Sequence, residues 1–204
     1  MATIAPTRPK LSPPPPSGTP PLHRITVDEY ERIVASGALE DPARIELIDG
    51  YMVDKMAKSP GHSYSTIEAH QALSGRLPAG WSARMEQPVR IPAYDEPEPD
   101  ISVVRGASAD YRSRVPDPAD VALLVEVSDT TLVQDRGLKL AAYAKDGIPV
   151  YWIVNLVDRQ VEVYTRPLKA GRYRSRKDYK PGQQVPVVIA GQPLRPIAVD
   201  DILP

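Results

Sequence analysis

Residues 121–155, with the sequence VALLVEVSDTTLVQDRGLKLAAYAKDGIPVYWIVN, decide the fold of this chain. The stretch begins with a near-continuous apolar run, residues 121–127, which predicts a strand that is covered on both faces. Residues from about 133 to 145 then read as a helix, and Gly147 closes it as a left-handed cap. A second buried strand, residues 150–154, follows. Strand, helix and strand in this order predict a βαβ unit with a right-handed crossover.

The chain before this unit begins with a helix and a hairpin. Residues 26–29, Thr-Val-Asp-Glu, form a capping box that opens a helix, and this helix is predicted to end before Gly37. Residues 45–53 read as two strands around the turn Asp49-Gly50.

A second helix is predicted to begin at Ser59 and Pro60, which are typical of an N-cap and a first helical position. It is expected to run to about residue 77, and the side chains predicted to face the core are Ile67, His70, Leu73 and Leu77. Residues 82–91 and 101–104 are predicted strands. After the βαβ unit, residues 161–164 and Tyr173 alternate as an outer hairpin, and residues 185–189 form another strand. The sequence therefore predicts an α/β or α+β fold, with a mixed sheet, flanking helices and a C-terminal β-hairpin extension.

Composition restricts the class of protein. The chain has 204 residues, of which 42% are hydrophobic, and a formal charge of −1, as in an ordinary globular protein. It contains no cysteine, which excludes disulfides, thiolate metal sites and cysteine nucleophiles. No apolar run reaches the roughly 18 residues of a membrane span, and no signal-peptide core is visible. We therefore expect a cytoplasmic protein that does not bind membranes.

Proline is concentrated at the N-terminus, where residues 1–22 hold eight of the 24 prolines. Such a segment cannot bury a core. Residues 1–23 are therefore predicted to be a disordered arm, and residues 24–204 a single folded domain. A proline-binding protein could contact this arm, although a solvated tail is the simpler interpretation.

Three carboxylates lie within predicted strands or at the start of one. Glu126 stands in the middle of the strand 121–127, where an unpaired charge would cost several kcal/mol, so it should pair with a cation or bind a metal. Asp100 opens the strand 101–104, and Glu46 stands between two apolar strand residues. Carboxylates on adjacent strands can hold a hard cation such as Mg²⁺. The alternatives are a strand-end ion pair for Glu126 and a solvated acidic turn for Asp100.

Lys139 follows on the predicted helix and shares one helix face with Asp135 and Tyr143, at spacings of four residues. If the helix packs over the strand, Lys139 can reach the carboxylates, where it could orient or deprotonate a water or stabilise charge on a phosphate. The alternative is an Asp135–Lys139 pair on a wet helix surface.

Two further features are weaker signals. His62, in the first turn of the second helix, is a candidate for a phosphate contact or a proton shuttle. Residues 159–180 hold eight basic residues against two acidic ones, a local charge of +6, interleaved with tyrosines. Such a surface can contact a nucleic-acid backbone, and it equally suits a solvated hairpin that protects a sheet edge.

Taken together, residues 25–164 resemble the Uma-type restriction endonuclease family, a branch of the PD-(D/E)XK nuclease superfamily. The positions that carry the resemblance are, in order, residues 26–30, 46–50, Ser59-Pro60 with His62, Pro99-Asp100, residues 125–128, Asp135, Lys139, Tyr143, Gly147 and residues 151–154. The superfamily lysine normally lies two residues after the second acid, where this chain has Ser128. Residues 128–131 and Asn155 also depart from the family's usual loop residues.

The resemblance implies a restriction-endonuclease-like fold and metal-dependent hydrolysis of phosphodiester bonds in DNA. It implies that Asp100, Glu126 and the Val127 carbonyl hold one or two Mg²⁺ ions, for which Mn²⁺ could substitute. Lys139, in place of the strand lysine, would orient the nucleophile. Glu46 would lie at the edge of the site and either bind a second metal or position Lys139. The catalytic residues that the resemblance implies are thus Glu46, Asp100, Glu126 and Lys139.

Two other functions are compatible with the sequence. A catalytically idle nuclease-fold protein could bind nucleic acid or a protein partner, and the net charge of −1 favours it. A glycosidase could use the paired carboxylates and would need neither lysine nor metal. Cleavage of both DNA strands needs two sites, which is compatible with a homodimer.

Overall fold

A computed structural model describes residues 22–204, so the predicted arm, residues 1–23, lies almost wholly outside the described residues. The strands are β1 (Ile45–Ile48), β2 (Tyr51–Asp54), β3 (Trp81–Met85), β4 (Ile101–Arg105), β5 (Val121–Ser128), β6 (Val150–Asn155), β7 (Gln160–Leu168), β8 (Arg172–Tyr179), β9 (Gln184–Ile189) and β10 (Gln192–Ala198). The helices are α1 (Val27–Ala35), α2 (Pro60–Ser74), α3 (Leu132–Gln134) and α4 (Leu140–Lys145), with a π-helical turn (Asp135–Lys139) between the last two.

The centre of the molecule is a six-stranded sheet with the order β3-β4-β5-β6-β7-β8. Only the β5–β6 pair is parallel among these neighbours, and the other four pairs are antiparallel. Strand β5 is buried at every position, which is the expected consequence of its continuous apolar sequence. The predicted mixed sheet and its βαβ unit are confirmed.

Both faces of this sheet are covered. One face, which includes Leu124 and Ile153, packs against α4 through Tyr143 and against the side chain of Ile148. The opposite face, which includes Trp152, packs against α2 and the β9–β10 hairpin. Because side chains alternate along a strand, Glu126 belongs to the face that lies under α4.

Helix α2 buries a different stripe from the predicted one. Its N-cap is Ser59, whose hydroxyl accepts a hydrogen bond from the backbone of His62, as expected. The residues that it buries, however, are Ser65, Thr66, Ala69 and Leu73. The prediction that Ile67 faces the core is wrong, because this side chain is 45% exposed.

The helix predicted for residues 133–145 is interrupted by the π-helical turn. The backbone N–H of Leu140 donates to the carbonyl of Asp135, five residues earlier, instead of the usual four. The turn therefore contains one extra residue, and it changes the direction of every side chain that follows.

The β1–β2 hairpin is held by backbone hydrogen bonds to the segment before β4. Leu47 and Glu96 exchange N–H···O bonds of 3.3 and 2.8 Å, and the amide of Gly50 donates to the carbonyl of Tyr94 at 2.8 Å. These bonds fix the position of Glu46, the neighbour of Leu47. None of the helices in residues 22–204 has the length and apolar character that a membrane crossing requires.

Candidate active site

A cleft opens at the C-terminal end of β5. Its walls are β5, the π-helical turn, β1 with the loop before β4, and the segment that joins β2 to α2. The charged and imidazole side chains that line it include Glu46, Lys55, Lys58, His62, Glu98, Asp100, Glu126, Asp129, Asp135 and Lys139. All four predicted catalytic residues therefore line one cleft.

Glu126 lies at the floor of the cleft and is only 4% exposed. Its Oε1 accepts hydrogen bonds from Lys139 Nζ at 3.1 Å and from the Tyr143 hydroxyl at 2.7 Å. Burial raises the pKa of Glu126 well above its usual value, the charge of Lys139 opposes this shift, and the nearby carboxylates add to it. Lys139 is therefore the neighbour that favours the ionised form of this carboxyl against the effect of burial.

Asp100 lies beside Glu126. Ile101 pairs with Val125 in the antiparallel β4–β5 ladder, so the next position of that register brings Asp100 opposite Glu126. Its Oδ2 accepts a hydrogen bond of 2.8 Å from the backbone of Val127 and lies 3.3 Å from His62 Nε2. Asp100 is buried, so the alternative of a solvated acidic turn is wrong.

Glu46 enters the cleft from β1 and faces Glu126 across the lysine. Its Oε1 lies 3.2 Å from Lys139 Nζ, and its Oε2 accepts a hydrogen bond of 3.0 Å from the backbone of Glu98. The ammonium group of Lys139 therefore lies between two buried carboxylates from different strands.

Lys139 itself is buried, as is its neighbour Asp135, so the alternative of an ion pair on a wet helix surface is wrong. Asp135 instead accepts hydrogen bonds from the hydroxyls of Ser128 at 2.7 Å and Thr131 at 2.6 Å. Burial lowers the pKa of Lys139, but the carboxylates around it, Glu126 and then Glu46, raise this pKa more, and the net shift is upward. Lys139 is therefore an ammonium ion, suited to stabilising negative charge.

The carboxylate oxygens that accept no hydrogen bond from the protein are suitable ligands for a hard cation. No protein group among residues 22–204 hydrogen-bonds Oδ1 of Asp100 or Oε2 of Glu126, so each carboxylate keeps one oxygen for another ligand. Within the same residues, no three His, Asp or Glu side chains form a ready-made metal cluster. A cation here would thus rest on two carboxylates, a backbone carbonyl and water, a set of ligands that Mg²⁺ accepts.

The basic segment 159–180 becomes β7 and β8, and its charges are divided between the two ends of the sheet. Glu162 on β7 is in register with Ile153, which is in register with Glu126. The turn after Leu168 therefore lies about 20 Å along the strand from the cleft, at 3.3 Å per residue. The basic residues near this turn lie at the opposite end of the strands from the carboxylates, and the sequence pattern alone could not reveal this.

Two contacts in the cleft were not predicted as such. Tyr143 donates to Glu126, and its spacing of four residues from Lys139 was the signal that could have placed it there. His62, a weak candidate in the sequence, lies against Asp100, with Nδ1 at 3.4 Å from the Thr66 hydroxyl. His70, by contrast, lies away from the cleft, with Nε2 3.3 Å from the Ala83 carbonyl.

Comparisons with known proteins agree with this architecture. The structure resembles the crystal structure of a putative nuclease belonging to DUF820 from Anabaena variabilis, with a TM-score of 0.63 and 18% sequence identity. The match covers 87% of this chain and 97% of that chain, and it establishes the fold. No curated protein is significantly similar in sequence. The sequence model of the Uma2 family, described as "Putative restriction endonuclease", matches residues 27–194, and the chain therefore belongs to this family.

Proposed function

We propose that this protein is a metal-dependent endonuclease that hydrolyses phosphodiester bonds in DNA, with Mg²⁺ as its cofactor and Mn²⁺ as a substitute. The observation that carries the proposal is the position of Lys139, whose Nζ lies 3.1 Å from Glu126 Oε1 and 3.2 Å from Glu46 Oε1 in a cleft that also holds Asp100. Membership of a nuclease family supports it.

Asp100 and Glu126 would hold the ion, helped by the Val127 carbonyl. A bound Mg²⁺ supplies positive charge to the scissile phosphate and lowers the pKa of a coordinated water. The protein's own contribution is to fix these ligands. The Val127 amide orients Asp100, and the Tyr143 hydroxyl orients Glu126.

Lys139 would act on the charge that develops during hydrolysis. As a protonated amine it can donate a hydrogen bond to a phosphate oxygen or orient the attacking water. Glu46 would keep the amine in place through its Oε1, while its Oε2 is fixed by the backbone of Glu98. Glu46 is thus a positioning residue in this scheme, and it lies at the edge of the proposed metal site.

The rim of the cleft offers limited basic charge. Lys55 and Lys58 line it, but each is paired with a carboxylate, Glu98 at 2.9 Å and Glu86 at 2.7 Å. An acidic cleft repels the phosphate backbone until a cation neutralises it. We therefore expect binding of DNA at this cleft, as well as hydrolysis, to require the divalent ion.

The test is cleavage of supercoiled plasmid DNA by the purified protein with Mg²⁺, with Mn²⁺ and with EDTA. The proposal predicts nicking or linearisation with either metal and none with EDTA. Glu126→Gln and Lys139→Met should each lower the rate by at least about 100-fold, the scale of one lost electrostatic contact in a transition state. Glu40→Gln, at an exposed position outside the cleft, is the matched control and should cleave like the wild type.

Two outcomes would count against the proposal. Cleavage that persists in Glu126→Gln would point to a contaminating nuclease or another site. Binding of DNA or of a protein partner without any cleavage would favour the idle nuclease-fold alternative.

A further inference from the structure

A second buried carboxylate, Glu162 on β7, lies outside the cleft on the same face of the sheet as Glu126. It is fully buried, so its charge requires polar partners, and several side chains supply them. Its oxygens accept hydrogen bonds from the Tyr164 hydroxyl at 2.7 Å, from the Asn155 amide at 2.8 Å and from two guanidinium nitrogens of Arg136. Arg176 contributes a further contact at 3.3 Å.

The ionisation of Glu162 reflects these contacts. Burial by itself would raise the pKa of Glu162, but the hydrogen bonds from Arg136, Tyr164 and Asn155 together outweigh it, and the pKa is lowered to about 2. Glu162 is therefore an anion throughout the pH range in which the protein would work, and it is a permanent partner for Arg136.

Arg136 belongs to the π-helical turn and lies three residues before Lys139. The same turn is also held by Asp135, whose side chain binds Ser128 and whose carbonyl accepts a hydrogen bond of 3.2 Å from Tyr151. The turn thus contacts the sheet through Arg136 over β7 and through Lys139 over β5.

We propose that Arg136 and Glu162 are positioning residues that hold the π-helical turn, and that they thereby place Lys139 between Glu126 and Glu46. The physical reason is the extra residue in the turn. If the turn relaxed to a regular α-helix, the change would accumulate along the turn, and the side chains beyond it would rotate by about 100° about the helix axis relative to those before it. Lys139 is the last residue of the turn and would undergo most of this rotation, which would take its amine away from the carboxylates. The catalytic meaning of this placement rests on the function proposed above.

The experiment compares Arg136→Gln with Arg176→Gln. Both variants remove an arginine from Glu162, but only Arg136 lies on the turn, so Arg176→Gln is the matched control. The readout is the rate at which an amine-reactive reagent modifies Lys139, measured by mass spectrometry, with the exposed Lys145 as internal reference.

In the wild type Lys139 is 6% exposed and should react slowly. Arg136→Gln should accelerate its modification by about tenfold or more, the factor that corresponds to one lost charge-assisted hydrogen bond. Arg176→Gln should leave the rate unchanged. In cleavage assays, Arg136→Gln should lower kcat with little change in KM, and Arg136→Lys should recover part of the protection of Lys139.

Equal modification rates of Lys139 in the wild type and in folded Arg136→Gln would overturn the inference, as would equal acceleration in both arginine variants. If Arg136→Gln does not fold, Glu162→Gln replaces it, because the neutral amide removes the charge that pairs with Arg136. Arg136 keeps its 3.2 Å contact with Asp158 in that variant, so a smaller acceleration is expected there, and an unchanged modification rate would overturn the inference. The modification assay needs no DNA cleavage. If the wild type has no nuclease activity, the proposed function is refuted, but the modification rates still test whether Arg136 and Glu162 position Lys139.

Discussion

Replacing Lys139 by methionine should destabilise the protein much more than the loss of a surface lysine would. The side chain is 6% exposed and its ammonium group compensates two buried carboxylates, Glu126 and Glu46. Methionine fills similar space but leaves both acids without their cation. Removing one partner of a buried ion pair costs about 3–5 kcal/mol, whereas exposed pairs contribute roughly 0–1 kcal/mol.

The assay is urea unfolding followed by circular dichroism, with EDTA present, at pH 5 and pH 8. At pH 8 we expect Lys139→Met to lose about 3 kcal/mol or more of the free energy of unfolding. Lys139 opposes the rise in the pKa of Glu126 that burial causes, so this pKa should rise further in the variant. A carboxyl with a raised pKa in the folded state stabilises the fold at low pH and loses this contribution as the pH rises. Lys139→Met should therefore lose less free energy of unfolding at pH 5 than at pH 8.

A double variant makes the test specific. Because Glu126→Gln removes one of the uncompensated charges, Lys139→Met/Glu126→Gln should be more stable than the sum of the single losses predicts, by about 1 kcal/mol or more. Lys145→Met, at an exposed position of the same helix, is the control and should change stability by less than about 0.5 kcal/mol. Additive losses, or a Lys139→Met variant as stable as the control, would refute the reasoning.

Three other predictions concern stability and metal binding. Burial and the nearby Glu31 raise the pKa of Glu96 to about 7, and its buried Oε2 has no hydrogen-bond partner in the described part of the chain. The stability that protonated Glu96 contributes should be lost as the pH rises from about 4.5 to 7. Glu96→Gln should therefore be more stable than the wild type at pH 8, by on the order of 1 kcal/mol. In unfolding experiments at pH 5 this gain should vanish. Millimolar Mg²⁺ should raise the melting temperature, and an Mg²⁺ concentration 100 times its Kd corresponds to about 2.7 kcal/mol of stabilisation. Asp100→Asn should weaken this response. Equal responses of the wild type and the variant in calorimetry would contradict a metal site at Asp100. A Cβ at Gly137 meets open space, so Gly137→Ala should stabilise the protein by about 0.5–1 kcal/mol in chemical denaturation, and a loss would mean that the turn requires glycine.

The parts of the fold that the sequence predicted are those with a local signal. The apolar run of β5 and the capping box of Thr26 and Glu29 are such signals, and both are present in the structure. Strand β10 was not predicted, because Pro193 and Pro196 argue against a strand; the structure accommodates them with a shift of register in an edge hairpin.

The site was predicted by residue but not by its geometry. Helical spacing indicated that Lys139 could reach the carboxylates, yet the extra residue of the π-helical turn has no sequence signature that we recognise. Its position depends on contacts between distant segments, such as that of Arg136 with Glu162. The prediction that Ile67 is buried was wrong for a similar reason, because the packing of α2 against segments distant in sequence decides which stripe faces inward.

The separation of Lys139 from the strand that carries Glu126 has a consequence for the order in which the site assembles. Both acids of the proposed metal site are fixed by neighbouring strands of one sheet, whereas the amine arrives only when the helix docks on that sheet. A molecule whose helix has opened locally therefore keeps its carboxylates but lacks the cation between them. Under the proposed function, hydrolytic activity would therefore report whether this helix is docked, and a chain with the helix undocked would hold both metal-binding acids and yet be inactive.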